Sequence, residues 1–112
     1  MKKTTQKQLR EFKKSFLHTA ERLGLSDYKV YFDFVASDEH YAEIQVNQKG
    51  KVATAFLCSR YDSILDPSEC GKHEAIHLLL ARLRFEAHTR YTNEFDIDQS
   101  EEEIVRRLEK VL

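Results

Sequence analysis

Residues 70–83 read CGKHEAIHLLLARL, and no other stretch limits the fold as much. On a helix, Ile76, Leu78, Leu79, Leu80, Ala81 and Leu83 leave almost no polar face, and a helix apolar nearly all round belongs in a core. Yet this one opens with two imidazoles and a carboxylate, groups that are costly to bury without partners. His73-Glu74-Ala75-Ile76-His77 has the pattern H-E-x-x-H. Positions i and i+4 of a helix lie one above the other, so His73 and His77 can each turn a ring nitrogen toward one metal ion. Glu74 is displaced around the helix, where it reaches a water bound to that ion rather than the ion itself. Two imidazoles to hold Zn²⁺ and a carboxylate to take a proton from water are what zinc-dependent peptide hydrolysis requires. The bland alternative is a polar first turn that protrudes into solvent.

The chain has 112 residues, enough for one domain spanning 1–112 and too few for two. Hydrophobic residues make up 41%, including seven Phe and five Tyr, which is sufficient for a core. Charged residues are abundant but nearly cancel, to a formal net charge of -1. Charge therefore points to no nucleic-acid or membrane partner. The basic N-terminal residues Lys2, Lys3 and Lys7 lack a following apolar region, and no apolar run approaches the length of a membrane span, so a cytoplasmic location is expected. Two cysteines, Cys58 and Cys70, do not make a disulfide framework.

The hydrophobic period changes twice along the chain. Over residues 5–23, Leu9, Phe12, Phe16, Leu17, Ala20 and Leu23 recur at helical spacing, and Gly24 follows as a stop. His18 falls at the edge of that stripe and reads as a surface or core-edge residue. From Tyr28 the period becomes two: Tyr28, Val30, Phe32 and Phe34 alternate with Lys29, Tyr31 and Asp33. Residues 41–47 alternate again, residues 47–50 (NQKG) have hairpin-turn chemistry, and residues 51–59 (KVATAFLCS) are apolar on both faces. Short turns predict a meander of three antiparallel strands. Asp66 and Pro67 then open the central helix, with Glu69 at its third position, and helical signal runs to about Phe85 or His88. Asp98 or Ser100 is expected to cap a last helix whose buried stripe is Ile104, Val105, Leu108, Val111 and Leu112. The expected fold class is α+β: an N-terminal helix, a three-stranded antiparallel sheet, the H-E-x-x-H helix and a C-terminal glutamate-bearing helix, with the helices on one side of the sheet.

A catalytic zinc site takes three protein ligands and leaves one position open. The extended pattern H-E-x-x-H-x-x-G-x-x-H is excluded, because Leu80 and Leu83 occupy its last two positions. The third ligand is then a carboxylate from the last helix, where Glu101, Glu102 and Glu103 are candidates. Glu101 points into the apolar face but is claimed by a capping box if Asp98 is the N-cap. That favours Glu102, with Glu101 next and Glu103 last. Glutamates in a first helical turn also suit the helix dipole without any metal. A rival set, Cys58, Cys70, His73 and His77, could form a closed structural zinc site in which Glu74 is incidental.

Strands, then an H-E-x-x-H helix, then a glutamate-bearing helix resemble the gluzincin-type zincin metallopeptidases in their minimal, single-domain phage and bacterial forms. The ending SEEEIVRRLEKVL after HEAIHLLL carries the likeness, over residues 30–112. The resemblance implies a zinc metallopeptidase with one catalytic Zn²⁺ and Glu74 as general base. It implies a peptide or protein substrate in extended conformation, paired with the strand at residues 51–59, which would line the cleft. His88 and Tyr91 are candidate oxyanion donors, and Asp96 or Asp98 could orient a ligand histidine. A zincin-shaped module that binds peptides without cleaving them is the remaining alternative.

Overall fold

The computed structural model describes residues 3–36, 40–59, 66–88, 93–110 and 112. The chain begins with α1 (Gln6–Arg22), whose start is fixed by a reciprocal capping box. The Gln8 amide donates to Thr5 Oγ1 at 3.1 Å, and the Thr5 amide donates to Gln8 Oε1 at 2.8 Å. Phe12, Phe16, Thr19 and Ala20 form its buried stripe, whereas Leu17, expected within that stripe, is exposed. Gly24 takes the left-handed conformation (φ +72°) that ends the helix.

Three strands follow: β1 (Lys29–Val35), β2 (Ala42–Asn47) and β3 (Val52–Cys58). They form a sheet in the order β1-β3-β2, with β2 antiparallel and β1 parallel to β3. The expected antiparallel meander is therefore wrong; the sheet is mixed, and β1 and β2 are not neighbours. The physical reason lies in β3. Ala53, Ala55, Leu57 and Cys58 are buried, and a strand apolar on both faces is best shielded at the centre of a sheet. A meander would have placed β2 there, with Glu43 and Gln45 flanked on both sides. The β2–β3 turn keeps its expected position: the Gly50 amide donates to Asn47 Oδ1 at 3.0 Å, and Lys51 carries the positive φ of 55°.

α2 (Pro67–Leu79) opens as expected on Asp66, whose carboxylate accepts from the Ser68 amide at 3.0 Å. Helices α1 and α2 pack on each other and on one face of the sheet. Their approach is close. A Cβ at Gly71 would stand 2.3 Å from the Phe12 carbonyl oxygen, so only glycine fits there. Phe12 and Phe16 are fully buried and meet Phe32 edge to face, with ring centroids 6.2 and 5.3 Å away. Burial of each such ring contributes about 1.5–3 kcal/mol.

The expected single central helix is in fact two. The chain turns at Leu80, whose amide donates to the His77 carbonyl, and α3 (Ala81–His88) continues from there. Leu79, Leu83 and Phe85 are exposed, so the apolar run is not buried all round as expected. The last helix, α4 (Glu94–Glu109), starts earlier than either expected cap: Asn93 Oδ1 accepts from the Phe95 amide at 2.8 Å. On α4, Val105 is fully buried and Ile104 is exposed, while Val111 lies outside the described residues. Among the described residues the fold is α+β, with four helices and a three-stranded mixed sheet, and no helix is long and apolar enough to cross a membrane.

Candidate functional site

With Asn93 as the cap, Asp98 and Glu101 lie in the body of α4 and their carboxylates are not needed at its start. The helix then presents Asp98, Glu101, Glu102, Val105 and Glu109 at three- and four-residue spacing, a stripe of four carboxylates interrupted by one valine. α4 packs against α2. As residue numbers rise through His73, His77 and Arg84, their partners fall from Glu109 through Glu102 and Glu101 to Asp98, so α4 runs antiparallel to the preceding helices.

Each imidazole on α2 meets carboxylates at both nitrogens. His77 Nδ1 is 3.2 Å from Glu101 Oε1, and His77 Nε2 is 2.7 Å from Glu102 Oε1. His73 Nδ1 pairs with Glu109 Oε1, and His73 Nε2 is 3.7 Å from Glu102 Oε1. The two Nε2 atoms face each other at 3.1 Å. A carboxylate stands at each Nδ1, and in the neutral tautomer that donates Nδ1–H to Glu101 or Glu109 each Nε2 offers its lone pair to the space between the rings. Three electron-pair donors then converge, two Nε2 atoms and one oxygen of Glu102, with separations of 3.1, 2.7 and 3.7 Å. Ligands at the bond lengths of tetrahedral zinc lie about 3.3 Å apart. A converging set of acceptors is repulsive without a cation or proton among them, so the donor chemistry fits a divalent metal.

Glu74, next to His73 on α2, is only 6% exposed. Ligand atoms of His73, Glu74 and His77 all lie within 4.8 Å of one another. Burial pushes the Glu74 carboxyl above its ordinary range; the two imidazoles oppose that shift and the Glu102 charge adds to it. For His77, burial disfavours the imidazolium, but the hydrogen bond to Glu101 and the charges of Glu74, Glu101 and Glu102 outweigh it, so the ring titrates above its usual value. Glu101 is held below the usual carboxylate range. Burial acts against this, but His77 and Arg84 both stabilise its charge, with Arg84 Nη1 2.8 Å from Glu101 Oε2. Arg84 also reaches Asp98 Oδ1 at 2.5 Å.

Of the residues singled out in the sequence, His73, Glu74, His77, Glu101 and Glu102 are brought together. Glu101 lies on the far nitrogen of His77 and Glu102 on the near side of both rings. Glu103 is exposed. Neither Asp96 nor Asp98 orients a histidine: Asp96 is exposed and Asp98 pairs with Arg84. Glu101 and Glu109 occupy that position instead. Cys58 and Cys70 are buried and form no disulfide, and neither belongs to the His73-Glu74-His77 group. His88 lines the cleft described next, while Tyr91 lies outside the described residues.

The site opens into a cleft of about 800 Å³, floored by His73, Glu74 and His77, with Ala42, Glu43, Ile44 and Val46 of β2 on one wall and Asp98, Glu101, Glu102 and Arg106 of α4 on the other. A smaller cavity of about 260 Å³ adjoins it and shares His40, Ala42, His73 and Glu74. No residue of 51–59 lines either cavity. The expectation that this strand borders the cleft fails, because β3 is central and both its edges are taken by β1 and β2. The edge on the cleft is that of β2. The Cys58 amide donates to the Tyr41 carbonyl, and antiparallel alternation then turns the backbone groups of Ala42, Ile44 and Val46 away from β3.

Sequence reasoning missed Glu109, Arg84 and His40. Glu109 carried a signal, since it falls seven residues after Glu102, two helical turns along the same face. Arg84 and His40 carried none, as their placement depends on how α3 and β2 lie against α2. No family model matches the chain, and neither do any curated protein or any solved structure.

Proposed function

We propose that the chain is a zinc-dependent metallopeptidase of the gluzincin type, with His73, His77 and Glu102 as metal ligands and Glu74 as general base. One observation carries this reading: two Nε2 atoms and a Glu102 oxygen converge at 2.7, 3.1 and 3.7 Å from one another, around the spacing of ligands on tetrahedral zinc, while a carboxylate stands at each Nδ1. The buried Glu74 beside that point is the second support.

Zinc, when bound, supplies Lewis acidity toward the scissile carbonyl and lowers the pKa of a water to about 7. The protein's own groups do the rest. Glu101 and Glu109 hold both rings in the tautomer that leaves Nε2 free. Glu74 has a raised proton affinity, which suits a base that takes a proton from water near neutral pH and returns it to the leaving nitrogen. An extended peptide adds as a strand to the open edge of β2, where Ala42, Ile44 and Val46 present both outward backbone groups and cleft-lining side chains.

The test begins with metal content. One zinc per chain is expected, dropping sharply in a His73→Ala/His77→Ala double variant. The zinc-loaded parent should cleave a mixed peptide library, and Glu74→Gln should retain zinc while losing about 100- to 10,000-fold in rate. Peptide cleavage unaffected by Glu74→Gln sinks the mechanism. A parent that holds zinc yet cleaves nothing sinks the peptidase.

A further inference from the structure

The cleft contains bases and ligands, but hydrolysis also needs a donor for the oxygen that becomes negative. Attack of water forms a C–O bond, moves the carbonyl π pair onto oxygen and places the water's proton on Glu74. Collapse breaks the C–N bond, restores the carbonyl and carries that proton to the leaving nitrogen. Between the two steps the oxyanion needs a preorganised hydrogen bond. On the α4 wall Asp98, Glu101 and Glu102 only accept, Arg106 is the one donor among the described residues there, and Arg84 is committed to Asp98 and Glu101.

We propose that His40, at the entrance to β2, is the hydrogen-bond donor to that oxyanion, a role that rests on the peptidase reading above. Two observations lead there. His40 lines both the larger cleft and the smaller cavity, and the residues common to the two include Glu74, so it stands where they join. It also precedes by two residues Ala42, the first position at which β2 turns its backbone to the open edge, so a strand laid there passes His40 as it crosses the base. His88 and Arg106 line the larger cleft alone. The role requires only an N–H directed at the oxyanion and no proton transfer.

The experiment compares the zinc-loaded parent with His40→Ala and His40→Gln on the best-cleaved peptide of a library. His40→Ala should lose about 100- to 1000-fold in kcat with KM within about threefold, and His40→Gln, which keeps a donor, should recover part of the loss. Zinc content should remain one per chain. A second readout avoids turnover. A phosphoramidate-capped dipeptide mimics the tetrahedral oxyanion and should bind His40→Ala more weakly by the same factor, while a thiol-capped dipeptide binds both proteins alike. Unchanged kcat, or equal losses for the two inhibitors, overturns the His40 role and leaves the peptidase standing. A zinc-loaded parent that neither cleaves peptides nor binds either inhibitor overturns both.

Discussion

The two long sides of α2 are built on opposite principles. Toward α1 the contact is close and apolar: Gly71 admits the α1 backbone, and Ala75 and Leu78 complete the seam with Phe12 and Phe16. Toward α4 the contact is ionic: His73 and His77 meet Glu101, Glu102 and Glu109, and among the described residues of that helix only Val105 is fully buried. The first side has one way to pack and no charge to lose. The second holds several glutamates against two imidazoles, so its stability depends on what lies between them. A single helix can therefore be anchored on one side while the other remains responsive to protons and cations.

The strongest way to break that contrast is Gly71→Ala. The added methyl would sit 2.3 Å from backbone that cannot move alone, and a loss of about 3 kcal/mol or more is expected, at the upper end of overpacking, read from a denaturant midpoint. Tolerance of Gly71→Ala would show that the α1 side adjusts as readily as the α4 side. On the α4 side, Glu102→Gln should cut zinc affinity by more than about 100-fold, roughly 2.7 kcal/mol. Glu101→Gln and Glu109→Gln should cost about 10- to 100-fold each, because they act through the imidazoles. Titration with a chromophoric chelator separates the two classes, and equal losses for all three would deny Glu102 its special place.

Acidity should move the two sides differently. In the metal-free protein the His77 pKa is raised from 6.5, so its contribution to stability is fully present below that value and is lost as pH rises through the raised one. Glu101 is lowered from 4.5, so its contribution is present above that value and is lost as pH falls through the lowered one. Glu74 is raised from 4.5 by burial, so its contribution is fully present below 4.5 and is lost as pH rises through the raised value. Metal-free protein should thus be most stable near pH 4.5, losing stability toward acid through Glu101 and toward alkali through Glu74 above 4.5 and His77 above 6.5. Zinc-loaded protein should instead gain stability toward neutral pH, as protons cease to compete for the imidazoles. Parallel pH profiles for the two forms would remove the proposed coupling. The smallest effect lies away from both sides. Lys51→Gly relieves a positive φ and should stabilise by about 1 kcal/mol or less, offset by loss of the Lys51 contact with Asp27.

Most elements, and the clustering of His73, Glu74 and His77 on one helix, were legible because they rest on local signals: period, caps and spacing within one helix. The strand order was not, although its cause was visible. Residues 51–59 are apolar on both faces and residues 41–47 on one, which already ranks β3 as central and β2 as an edge. The preference for short connections concealed it. The start of α4 was missed because Asn93, Asp98 and Ser100 are all competent caps, and only packing selects among them. The break at Leu80 has no glycine or proline to announce it. The pair of residues that orient the imidazoles, Glu101 and Glu109, depended on that unseen register of α4 against α2.

Among the described residues β2 is an edge strand, which has a consequence for handling the protein. Outward amides and carbonyls at Ala42, Ile44 and Val46 do not distinguish a peptide from the same segment of a sister molecule, and exposed strand margins are templates for aggregation. Solutions of this protein should cloud first when concentrated without any short extended peptide to occupy that margin.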